Sequence, residues 1–391
     1  MPKSSKEVIF MRENGAPKGR KGRVLTVVGR IFLVLFTIVF LFLFSLVALC
    51  HTLLTGPSDT IRDQVVLSAM QASATKWLPG LFLDDELVEE ICAHSAEVQE
   101  EIIPMGAFAG SSGEENDISD RTDTADDAFA DEWADAVDGM IYKTYSGSSF
   151  KAYILIIKDP SRVYVGTSSD FHDEDVKGDR IFDIVEREGV VAAINAGEYW
   201  DVGGKGTGGA PIGLTYSKGN CVWDDGLKRT FIGFDEDNVL HAFNSMTKAK
   251  AEDLGIRDAV SFQTGNVLIT NDGENVTLYY AEGNVGMAQR TAIAQRADGA
   301  VILVVTDGRT ASCLGATRND IIDLLYSEGA VVAGMLDGGS SAMMYYEDYY
   351  TKYGIDPAEL DEYQRKGLTN KYKAFTKPRH MPTYFLVAPE S

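Results

Sequence analysis

Histidine and cysteine are scarce in this chain of 391 residues: five of the first and four of the second. Cys50, Cys92, Cys221 and Cys313 stand far apart, so neither a zinc spacing nor a dense disulfide framework is available. The histidines are equally scattered and form no metal motif. Positive charge is short as well, with 36 Lys and Arg against 58 Asp and Glu and a formal net charge of −22. That balance argues against nucleic acid as a partner, because nucleic-acid binding needs a basic footprint. No internal repeat is visible. The glycine-dense stretch Gly203-Gly204-Lys205-Gly206-Thr207-Gly208-Gly209 is followed by no Gly-Lys-Ser/Thr and no helix pattern. It therefore reads as a mobile active-site loop rather than a nucleotide-phosphate loop.

Charge is missing altogether from Ile31 to Leu54. As a helix at ~1.5 Å per residue that run is ~36 Å long, enough to span a bilayer with some tilt. Residues 1–30 hold eight Lys/Arg and two Glu, a net of about +6, which leaves about −28 on the rest. By the positive-inside rule, 1–30 is a basic cytoplasmic tail, 31–54 a single-pass signal anchor in the cell membrane, and the remainder lies outside. A cleavable signal peptide is the competing reading. The length of the run and the lack of a small-x-small cleavage site oppose it, and Leu49 before Cys50 is too bulky for a lipoprotein site.

Beyond the anchor, residues 55–105 read as a helical membrane-proximal stalk. Ser58, Asp59 and Thr60 are candidate caps, and a second helix starts at Asp84 or Asp85 and runs through Leu87, Val88, Ile91 and Val98. Residues 106–138 read as an acidic flexible linker; 106–130 in particular lacks the apolar surface to offset ordering entropy. The folded domain covers 139–391. Strands are expected at 152–157, 162–167, 190–194, 231–234, 259–262, 276–280, 291–294, 301–306, 330–336 and 383–387. Helices are expected at Ile181–Glu188, with Asp179 as cap and Gly189 as stop, and at Arg318–Ser327. The fold class is α+β, built on one or two large mixed sheets.

Polar groups gather where these strands begin or end. Asn195 follows Ala192-Ala193-Ile194, Arg290-Thr291 opens a strand, Thr306-Asp307-Gly308-Arg309 closes the next, and Asp337-Gly338-Gly339-Ser340-Ser341 closes the last. Taken alone, each is ordinary: Asp337 capping its own turn, Asp307-Gly308 a hairpin, Asn195 a cap. Together they supply Asn, Asp, Arg and glycine backbone at strand ends, where catalytic groups usually sit. That inventory suits a polyoxygenated anion, since guanidinium binds phosphate bidentately and successive N–H groups of a glycine turn can cradle an anion. It calls for no cofactor.

At this point the sequence resembles the phosphodiester glycosidase family. The matching pieces are Ile194-Asn195-Ala196-Gly197, Arg290-Thr291-Ala292-Ile293-Ala294, Asp298-Gly299, Val304-Val305-Thr306-Asp307-Gly308-Arg309, Leu336-Asp337-Gly338-Gly339-Ser340-Ser341 and the tail Arg379-His380-Met381-Pro382-Thr383. The resemblance implies an extracytoplasmic hydrolase that cleaves the glycosidic C–O bond of a sugar-1-phosphodiester in a cell-envelope polysaccharide or glycoconjugate. The anchored layout resembles bacterial members labelled exopolysaccharide-biosynthesis proteins. Carried over, Asp337 and Asp307 are the catalytic carboxylates and Arg290 and Arg379 bind phosphate. Asn195 and Ser341 hydrogen-bond substrate oxygens, Gly338 and Gly339 line the cleft, and Thr291, Arg309 and Ser340 complete the substrate-binding set. The chain departs from the family pattern at Glu198-Tyr199-Trp200 after Gly197, at Ser340 in place of a third glycine, and at Ala294 in place of a common glycine.

Two other classes stay open. One is a polysaccharide-binding or assembly module without turnover. The other is a metal-dependent phosphodiesterase cutting P–O, with Asp307, Asp337 and Asn195 offering oxygens to Ca²⁺ or Mg²⁺.

Overall fold

The computed structural model describes residues 20–70, 75–107, 129, 131–171, 175–201, 207–263, 265–282, 286–310, 313–372 and 376–390. Residues 1–19, residues 108–128 and 130 of the expected flexible linker, and Gly203–Gly206 of the glycine-dense loop lie outside the described residues. The chain divides into two compact units, Met1–Pro57 and Ser58–Ser391. In the first, α1 (Arg20–Thr55) is continuous and most of its large apolar side chains are exposed. Its stretch Val27–Thr55 is 29 residues long and holds an 18-residue window of mean hydropathy 3.0, which by length and composition can cross a membrane as an anchor or a signal sequence.

The second unit opens with α2 (Asp59–Met70) and α3 (Asp85–His94). Helix stops there. Val98–Pro104 is a strand, β1, so the expected helix through Val98 is corrected: β1 pairs antiparallel with β12 (Asn275–Ala281) over seven residues. Val98 fits the helical period of Leu87, Val88 and Ile91, yet the segment extends a sheet edge whose backbone would otherwise be unpaired. The other strands are β2 (Met140–Ser146), β3 (Lys151–Ile157), β4 (Val163–Thr167), β5 (Ala192–Asn195), β6 (Leu214–Ser217), β7 (Asn220–Asp224), β8 (Arg229–Asp235), β9 (Leu240–Met246), β10 (Ile256–Phe262), β11 (Val267–Asn271), β13 (Thr291–Arg296), β14 (Val301–Thr306), β15 (Ala330–Leu336), β16 (Met344–Tyr346) and β17 (Thr383–Val387). They form an eight-stranded sheet β1-β12-β11-β15-β13-β14-β3-β2, a five-stranded sheet β7-β6-β10-β8-β9 and a four-stranded sheet β16-β5-β17-β4.

The large sheet is covered on both faces, and the strand period shows how. Tyr153, Leu155, Ile157, Val301, Leu303, Val305 and Ile293 point into a core shared with the two smaller sheets. Their neighbours Ala152, Ile154, Ile156, Ile302, Val304, Ala292 and Ala294 point the other way, onto Ile321, Ile322, Leu324 and Leu325 of the helix Arg318–Ser327. Burial on both faces is why these strands read as unbroken apolar runs rather than alternating ones. The helix Ile181–Glu188 ends at Gly189 (φ +63°), whose N–H bonds Val185 O at 3.0 Å. Asp179 sits one residue ahead of the cap position and instead binds the Ser169 amide and the Arg187 guanidinium.

The chain on either side of the undescribed linker is fastened to the large sheet. Arg296, with no exposed side-chain surface, pairs with Asp298 and Glu132, and its guanidinium lies 3.7 Å from the Phe129 ring centroid and 5.1 Å from that of Trp133.

Candidate active site

β15 belongs to the eight-stranded sheet and β16 to the four-stranded one, so the turn between them carries the chain from one sheet to the other. Asp337 starts that turn. Its N–H bonds Ala196 O at 3.0 Å, at the end of β5. Gly339 has φ +64° and sends its N–H to Gln289 O at 2.8 Å; a Cβ on Gly338 would lie 2.9 Å from the same oxygen. The glycines are thus required by close approach of two backbones. The Gly338 amide and the Ser341 hydroxyl bond the Asp337 carboxylate. The amides expected to cradle a ligand anion are spent inside the protein.

Beneath the turn lies Asn195, with no exposed surface. Its Nδ2 donates to Asp337 O, and its Oδ1 accepts from Thr291 Oγ1 at 3.2 Å and from Met343 N–H at 3.0 Å. Thr291 is equally buried. Both residues therefore stand behind the cleft wall, and the expected contact of Asn195 and Thr291 with substrate is corrected to a role in holding the turn. Asp307 is 8 % exposed, and its two oxygens accept from Tyr153 Oη and the Lys371 amide, each at 2.8 Å. Burial raises its carboxyl above the usual range, and the Lys371 bond ties it to the C-terminal segment. Among the described residues no group of three or more His, Cys, Asp or Glu is placed to hold a metal ion.

A cavity of about 420 Å³ opens beside Asp337, lined also by Glu198, Gln263, Asn266, Arg290, Arg318 and Gly338. Its surroundings carry charge of both signs. Burial, reinforced by the Glu198 carboxylate, pushes Asp337 up to about 7, against the pull of Ser341, Arg379 and the Gly338 amide. Glu198 is held by the Gln263 amide on its Oε2 at 2.8 Å. Arg379 donates to Tyr199 Oη at 2.9 Å and pairs with Asp201 at 3.3 Å. Arg290 donates to Ala316 O (3.0 Å) and Gly286 O (2.6 Å). Burial, then the charges of Arg309 and Arg318, bring its pKa down to about 10. Arg318 is anchored on Gly265 O and Val267 O. Arg309 (φ +57°) points a terminal nitrogen toward Gly339. Among the described residues, Arg309 Nη2 and Arg318 Nε are buried without a hydrogen-bond partner.

Of the expected residues, then, Asp337, Arg290 and Gly338 line the cavity, Ser341 and Arg379 act on Asp337, and Arg309 acts on Arg290; Gly339 shapes the turn and Ser340 is exposed. Sequence reading left Glu198 unplaced and missed Arg318. A signal for Arg318 was present: a cation in the first turn of a helix opposes the dipole, so its position asks for another purpose.

Residues 188–388, just over half of the chain, match the family model described as phosphodiester glycosidase. The chain belongs to that family. Over 241 residues it is 27% identical to the SPbeta prophage-derived uncharacterized protein YomE of Bacillus subtilis (strain 168), covering 58% of this chain and 34% of that one. The chain thus spans about a third of the length of this curated relative. Among solved structures it is similar to the catalytic domain of zebrafish N-acetylglucosamine-1-phosphodiester alpha-N-acetylglucosaminidase auto-inhibited by pro-peptide, at 15% identity and TM-score 0.46, over 76% of this chain and 90% of that one. It is also similar to a hypothetical protein from Synechocystis, at 14% identity and TM-score 0.39, over 64% and 62%.

Proposed function

We propose that this cleft hydrolyses the glycosidic C–O bond of a sugar-1-phosphodiester, with the phosphate at the arginine end and the anomeric carbon beside Asp337. The observation that carries the reading is charge of both signs in one cavity: a carboxyl raised to about 7 beside Glu198, with Arg290 and Arg318 in the same lining and Arg309 close enough to act on Arg290. A phosphomonoester leaves more readily than a sugar hydroxyl, so neutralising charge on the departing phosphate matters more than protonating it. Asp337, near neutrality, takes a proton from the attacking water. The water oxygen bonds to the anomeric carbon, the C–O bond to phosphate breaks, and its electron pair leaves on the phosphate among the guanidinium groups. Arg379 and Glu198 set the basicity of Asp337 and orient sugar hydroxyls.

Hydrolysis in ¹⁸O water tests the bond cleaved. Label in the released sugar is expected; label in the phosphate means P–O cleavage, and no turnover leaves a binding module. The apolar helix and the basic flank at Lys18, Arg20, Lys21, Arg23 and Arg30 support a single-pass anchor with the domain outside the cytoplasm and a cell-envelope phosphoglycan as substrate. Protease added to wall-free cells should then digest the unit from Ser58 onward.

A further inference from the structure

The membrane-proximal residues 58–104 look from the sequence like a spacer, yet they reach the cleft. We infer that this segment forms a wall of the active site and positions its phosphate-binding arginine; the inference rests on the reading of the arginine end as the phosphate site.

Three contacts carry it. Ser95, just past α3, lines the same cavity as Arg290, Arg318 and Asp337. Glu97 O accepts the Glu282 N–H at 2.8 Å, where β1 meets β12. Ser68 Oγ, on α2, accepts the Met287 N–H at 3.2 Å. The last two bonds hold the described ends of the connection from β12 to β13, on which Gly286 O accepts Arg290 Nη2 at 2.6 Å. Asn319, next to Arg318, bonds Ala281 in both directions, at 2.9 and 3.1 Å. Ser95 therefore stands at the arginine end of the cleft. Ser68 acts through Met287 and Gly286 and is a positioning residue; Ser95, whose hydroxyl donates to Cys92 O at 2.8 Å, supplies part of the wall.

The test measures inorganic phosphate affinity of the full chain in detergent by calorimetry, with melting temperature alongside. Ser68→Ala should weaken phosphate about 2- to 10-fold, the effect of one neutral hydrogen bond. Alanine is the better helix former and offsets part of the lost bond, so melting should stay within a few degrees of the parent, and Ser68→Thr should restore affinity. Ser95→Asp should weaken phosphate and Ser95→Lys strengthen it, each by about threefold or more for a charge near the site. Opposite signs at one position are not produced by a structural effect. Arg290→Gln is the control. If it weakens phosphate while the Ser68 and Ser95 variants bind like the parent, the segment is only a tether and the inference falls alone. If the parent binds no phosphate, or Arg290→Gln leaves binding unchanged, the reading of the cleft falls and takes the inference with it.

Discussion

At Asp337 the physical chemistry makes a test possible in which activity and stability move apart. Asp337→Asn keeps the shape and the bonds to Ser341 while removing the base, which typically costs ~10²–10⁴ in rate. The variant should melt within a few degrees of the parent and lose nearly all sugar-1-phosphodiester hydrolysis. Its relative stability should also depend on pH. A carboxyl raised to about 7 in the folded state and near ~3.9 when unfolded binds more protons folded than unfolded between those values. The stability of the parent is therefore eroded as pH rises through that window, and melts of the Asn variant should gain on the parent from about pH 4 to about pH 7. Activity has the opposite sign: kcat/KM should climb to a plateau above about pH 7 as Asp337 ionises. Glu198→Gln removes a negative neighbour, so the inflection should move down; Arg379→Gln should move it up. Of these residues, Asp337 and the arginines were legible as polar groups at strand ends. Asn195 was misplaced because residue type and position give no sign of which side of a strand end faces solvent. Only its partners, 96 to 148 residues away, decide that.

Among the elements, strands buried on both faces were the easiest to locate, since Val301–Thr306 and Ala330–Leu336 present unbroken apolar runs. The short or half-exposed strands β6, β7, β9 and β16 carry too few apolar residues to announce themselves and are defined by pairing with distant partners. β1 was the most consequential miss, because it moves the practical start of the folded unit. A fragment beginning at residue 139 leaves β12 as an open edge and strips Arg296 of Glu132 and the Phe129 and Trp133 rings. Breaking a buried pair costs up to ~3–5 kcal/mol; with Asp298 still in place, a fragment from 139 should melt roughly 5–10 °C below one from 58. Differential scanning calorimetry of the two fragments compares them directly. Equal melting would make the early segment a passenger.

Against a formal net charge of −22, the grouping of Arg290, Arg309 and Arg318 gives an anionic substrate a local region of positive potential. The position of Asn195 bears on how such a cleft comes into being. It joins β5 of the four-stranded sheet, β13 of the eight-stranded sheet and the turn that crosses between them. None of these partners is near another in sequence, so the turn bearing Asp337 can settle only after both sheets have formed and met. Contacts of such long separation close late and slowly. Catalytic competence is then the final event of folding. After dilution from denaturant, tyrosine and tryptophan fluorescence should reach its native value before hydrolysis returns, and the interval between the two signals measures the lifetime of a chain that is folded in outline and still inert.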